Sequence, residues 1–112
     1  MTAPQHEIKI MLTTIDGKRH AVPQLPQPGV MNKGDLVRYS SDDGDVRVEF
    51  PAESPFDTNV MTNSDVKELK QSGTFQCGCS ITLKDDPEVT IGWHRGLPLD
   101  SPSGGVHDVG PH

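Results

Sequence analysis

From Thr74 to Lys84 the chain alternates without a break. Phe75, Cys77, Cys79, Ile81 and Leu83 fall on one side, and Gln76, Gly78, Ser80, Thr82 and Lys84 on the other. Successive side chains of a strand point to opposite faces, so this period of two predicts an extended strand with one buried face. It also fixes the relation of the chain's two cysteines. At i and i+2 of a strand they share a face, with Cβ atoms roughly 6.5–7 Å apart. A disulfide draws Cβ atoms to about 3.8 Å. A bond therefore needs a bulge, which Gly78 would permit. The simpler expectation is two small buried residues filling core space. The alternative is a redox or metal-thiolate pair, strengthened if His94 approaches it.

The rest of the chain repeats the theme in shorter pieces. Ile8, Ile10 and Leu12 alternate with Lys9, Met11 and Thr13, predicting a half-buried strand over Glu7–Ile15. Asp16-Gly17 is a tight-turn signal, with Lys18–Val22 as the returning strand. The prolines of Pro23–Gly29 cannot donate ladder hydrogen bonds, which makes this stretch a loop or crossover. Leu36–Ser40 and Val46–Phe50 read as strands joined through Asp43-Gly44. Pro51–Asn63 reads as a long polar loop. Asp65–Gln71 fits either a helical turn or a weak edge strand. Val89, Ile91 and Trp93 form the inward face of a last strand. About seven short strands predict an all-β, two-sheet sandwich of Greek-key type over residues 1–94. The Gly/Pro/Ser-rich stretch 95–112 reads as a C-terminal tail.

Length and composition agree. The chain has 112 residues, enough for one domain. Only 32% of them are hydrophobic, so each apolar residue must be well placed. Ten Lys and Arg face 16 Asp and Glu, a net charge of −6 that repels nucleic acid and anionic membrane alike. The amino terminus lacks the basic start and apolar run of a signal peptide, and no apolar stretch reaches the length of a membrane span. A cytoplasmic location is expected.

Two stretches carry a resemblance. Gly34-Asp35-Leu36-Val37-Arg38-Tyr39 is similar to the Gly-Asp-x-Val-x-aromatic strand of the cupredoxins, the plastocyanin-like copper proteins, and Val46–Phe50 resembles the strand after it. Gly73-Thr74-Phe75-Gln76-Cys77-Gly78-Cys79 resembles the family's Gly-Thr-aromatic-x-aromatic-x-Cys strand, and Val89–Trp93 takes the place of the closing strand. The resemblance implies a cupredoxin-like sandwich in which Cys79 holds the copper-thiolate position. Thr82 stands where the family needs a histidine, no Met follows Met61, and no His occurs from Ala21 through Trp93. A blue-copper site needs two imidazoles and a thiolate. The expectation is a sandwich without type 1 copper and with no cofactor.

Other candidates are weaker. Asp42, Asp43 and Asp45 around Gly44 lack the distal bidentate Glu of a full calcium loop and read as a solvated turn. His6, His20, His94, His107 and His112 show no ligand spacing and read as surface residues. No nucleophile elbow, phosphate loop or His-Glu-x-x-His motif is present, so no enzyme and no catalytic residue is expected. The leading expectation is a non-catalytic binding or assembly module. It would meet a protein partner through loops 23–31 and 51–63 or an edge strand, with Phe56 as an apolar anchor. The alternative is a metal- or redox-handling protein that uses Cys77 and Cys79, with His94 as the possible third group.

Overall fold

The computed structural model describes residues 4–94 and 102–111. It is all-β, with two sheets packed face to face. Nine strands are found among the described residues, where about seven were expected: β1 (Gln5–Ile15), β2 (Lys18–Pro23), β3 (Leu36–Ser40), β4 (Gly44–Glu49), β5 (Val60–Thr62), β6 (Val66–Glu68), β7 (Gly73–Leu83), β8 (Thr90–Gly92) and β9 (Gly104–Val109). The surplus comes from three-residue edge strands and from β9. No helix is long and apolar enough to cross a membrane.

The first sheet has the order β2-β1-β3-β6. Strand β1 changes partner along its length. Gln5–Lys9 run parallel to β3, and Ile10–Ile15 pair antiparallel with β2. The β1–β2 turn has both central residues in the left-handed region, Asp16 at φ 50° and Gly17 at φ 79°. That is the backbone a two-residue hairpin turn demands. Strand β6 resolves the ambiguity over Asp65–Gln71: it is an edge strand, antiparallel to β3.

The second sheet has the order β5-β4-β7-β8, with β9 also on β7. One edge of β7 meets β4. The other is shared: β9 covers Gly73–Gly78, and β8 covers Ser80–Thr82. At Cys79 the junction closes, its N–H donating to Ser103 O at 2.9 Å and its carbonyl accepting from Trp93 N–H at 2.8 Å. Strand β9 and the preceding Ser103 fall in the stretch read from composition as a tail. Residues 95–101 and 112 lie outside the described residues.

The core sits between the sheets. Ile8, Ile10, Val37 and Tyr39 enter from one side, and Val46, Val48, Phe50, Met61, Phe75, Cys77, Cys79, Ile81 and Val109 from the other. Phe56, expected as an anchor for a partner, is only 4% exposed. Its ring meets Phe50 and Tyr39 edge to face, with centroids 5.8 and 6.4 Å apart. The loop that carries it is tied inward by Ser54, whose hydroxyl donates to Thr58 O and accepts from Phe56 N–H. An aromatic ring lowers free energy most when both faces leave water, and here Phe56 has done so inside its own chain.

Candidate functional site

Strand β7 places Cys77 and Cys79 on the core face, and both are free thiols with no exposure. The ladder is regular on both edges: Cys77 pairs with Gly105, Gly78 with Gly104 and Glu49, and Cys79 with Val48. The expected extension of this segment holds, and the sulfurs lie 3.9 Å apart. The side chains lean together while the backbone keeps its ordinary rise.

The imidazole that reaches them is His107, not His94. His94 is exposed. His107 stands opposite Phe75 in the β7–β9 register, on the same face as the thiols, and is fully buried. Its Nε2 lies 2.8 Å from the hydroxyl of Tyr39, which crosses from the opposite sheet. Its Nδ1 is buried and has no hydrogen-bond partner among the described residues. The ring is held by Tyr39 and Phe50, both edge to face, with centroids at 5.9 and 5.2 Å. Cys77, Cys79, His107 and Tyr39 thus form a polar cluster inside an apolar interior. Composition hid His107, because Gly, Pro and Ser dominate the stretch around it. The available signal was the alternation of Gly105, His107 and Val109 against Val106 and Asp108.

The two thiols are not equivalent. The Cys77 pKa is lowered from 9.0 to about 5. The main cause is the Cys79 S–H, which donates to the Cys77 thiolate; burial opposes it, and His107 and the Gly105 N–H add to the lowering. Cys79 moves well upward, because its proton is held by Cys77 and because it is buried. Burial, and then the charge at Cys77 and Cys79, push Tyr39 well above the usual phenol range, so its proton stays. The pair therefore shares one proton, with thiolate character on Cys77.

The site is closed by two close packings. On the opposite face of β7, a Cβ at Gly78 would run into the Trp93 ring. On the thiol face, a Cβ at Gly105 would come within 2.8 Å of Leu25 Cδ1 and 3.0 Å of Pro23 Cγ. Residues paired across a ladder point to the same face. The Pro-rich loop after β2 thus lies over the ladder partner of Cys77. Among the described residues, no group of three His, Cys, Asp or Glu side chains is placed to hold a metal ion.

No protein-family model, curated protein or solved structure matches this chain.

Proposed function

We propose that the protein is a non-catalytic thiol protein, a cupredoxin-like Greek-key sandwich without type 1 copper that handles a metal ion or redox equivalents through Cys77 and Cys79. The observation that carries this reading is the pair itself: two sulfurs 3.9 Å apart, buried beside an imidazole and a phenol that reaches in from the facing sheet. A core built only for packing has no use for such a cluster, since each buried polar atom without a partner costs free energy. The cupredoxin-like part of the reading is supported by the resembling stretches and the strands that follow them, which fall on β3, β4, β7 and β8. The test is labelling of the native thiols with a small thiol-specific reagent. Cys77 should react faster than global unfolding permits. Labelling only at the unfolding rate would mean that the sulfurs are mere packing.

A second reading keeps the sandwich as a protein-docking module. Val30 is 47% exposed on loop 23–31. An open groove of about 330 Å³, lined by Pro28, Gly29, Thr74 and Asp108 among others, runs beside that loop. This reading predicts inert thiols in the same experiment.

A further inference from the structure

The change of partner along β1 leaves part of one edge bare. Gln5–Lys9 lie against β3 and Ile10–Ile15 against β2, and the sheet order β2-β1-β3-β6 puts those partners on opposite edges. Beyond Ile10 the edge turned toward β3 has no strand beside it among the described residues. The backbone groups aimed there follow from the hairpin. Its two-residue turn closes on the Ile15–Lys18 pair, and a closing pair of this kind exchanges both hydrogen bonds. The pattern alternates, so Met11, Thr13 and Ile15 bond toward β2. Gln24 N–H donating to Lys9 O at 2.8 Å keeps the same phase. The N–H and C=O groups of Leu12 and Thr14 are left facing the bare edge.

Proteins blunt such edges with charge, proline or a bulge, because an open edge templates pairing with another chain. Ile10–Ile15 has none of these. It holds no charged residue, no Pro and no Gly, and its register with β2 runs without interruption. It also presents apolar surface to solvent. Met11 is 49% and Ile15 38% exposed, two of the five large hydrophobic residues left open among the described residues. Both share a face with Thr13, which is exposed as well.

We infer that this edge pairs with the same edge of a second copy, forming a twofold-symmetric dimer. Two copies of one strand side by side and antiparallel are related by a twofold axis perpendicular to the sheet. The free groups then fix the register. Leu12 of each copy stands opposite Thr14 of the other, which satisfies every N–H and C=O that the two residues leave open. Thr13 meets its own copy on the axis, and Met11 meets Ile15, so the exposed apolar side chains cover one another. The register also carries each hairpin tip, with Lys18 and Arg19, to the place where β3 of the other copy ends at Ser40 and turns through Asp42 and Asp43. Asp42 is open there, its side chain 84% exposed. Opposite charges thus meet on both sides of the axis, in a chain whose net charge of −6 otherwise holds copies apart. That match selects a second copy of this chain as the occupant.

The experiment is sedimentation of the full chain over a concentration series. The expected result is a reversible monomer–dimer equilibrium. Thr13→Lys and Thr13→Glu each set like charges face to face on the axis, and each should raise the dimer Kd roughly fivefold or more. Mixing the two variants should restore association, since opposite charges then meet. Thr13 is exposed, so both variants should keep the wild-type thermal unfolding midpoint as monomers. Lys18→Glu with Arg19→Glu should weaken the dimer, and adding Asp42→Lys with Asp43→Lys should recover it. Amide exchange at Leu12 and Thr14 should slow as concentration rises, while exchange at Thr13 stays constant. A chain that is monomeric at every concentration overturns the inference. So does a dimer that Thr13→Lys leaves intact, or a mixture of the two Thr13 variants that stays monomeric.

Discussion

Tyr39 spends its hydroxyl on one partner, His107 Nε2, inside an otherwise apolar interior. Replacing it with Phe leaves a buried ring nitrogen with nothing to bond, a loss of about 1–3 kcal/mol. Denaturant unfolding of Tyr39→Phe should show a lower midpoint at an unchanged slope. The thiols make a second prediction at this scale. Cys77 titrates near 5 in the folded chain against 9.0 for an ordinary cysteine. Between those values the unfolded chain holds a proton that the folded chain has lost, so stability rises with pH. This contribution is complete above pH 9 and is lost as pH falls through about 5. Above pH 9 the raised Cys79 works the other way, because the folded chain then keeps a proton the unfolded one gives up. Ultraviolet thiolate absorbance should show a single ionised sulfur at neutral pH, absent in Cys77→Ser. The shared face of the two cysteines was legible from their spacing alone, since a period of two leaves no other arrangement. Their partner was not legible. His107 is 28 or more positions away in sequence and meets them only because β9 folds back along β7.

Strand β7 carries the site because both of its faces are covered at the centre. Gly78 leaves room for the Trp93 ring on one face while Cys77 and Cys79 fill the other. Gly78→Ala drives a methyl into the indole, and overpacking of this kind costs about 1–3 kcal/mol. Thermal unfolding should register it as a lowered midpoint, and a variant as stable as wild type would mean that Trp93 moves freely. The loop after β2 makes a different prediction. Leu25 lies where the absent Gly105 side chain would be, over the ladder partner of Cys77. Trimming it by Leu25→Ala should speed labelling of Cys77 in native protein while leaving the sulfur pair in place. An unchanged rate would place the route to the thiols elsewhere. The long elements were readable in advance: alternation marked β1, β4 and β7, and Asp16-Gly17 marked the hairpin. The short edge strand β5 was not, and β6 was only one of two readings of Asp65–Gln71, because three residues are too few for a period to emerge. The burial of Phe56 is hard to read from sequence for a related reason. A proline-flanked loop reads as surface until Ser54 is seen to fasten it inward.

At the scale of the molecule, the fold draws its carboxyl-terminal portion into the centre of the sandwich. Strand β9 supplies one edge of β7, places His107 and Val109 in the core, and is followed by Gly110, which bridges to Asn32 in the β2–β3 connection. Ser103 reinforces the tie, accepting from Ala21 N–H at 3.2 Å while its carbonyl accepts from Cys79. A dispensable tail and an integral strand differ sharply under truncation. Removing residues 102–112 exposes the edge of β7 at Gly73–Gly78 and takes away the imidazole, so the shortened chain should lose cooperative unfolding and aggregate through the bared strand. His107→Gln offers the gentler comparison, because it keeps β9 and removes only the ring. It should stay folded and cooperative, with a lower denaturation midpoint. If the truncated chain instead unfolds like the intact protein by calorimetry, then β9 is an accessory to the sandwich. The thiol pair would then stand without a partner from the facing end of the chain.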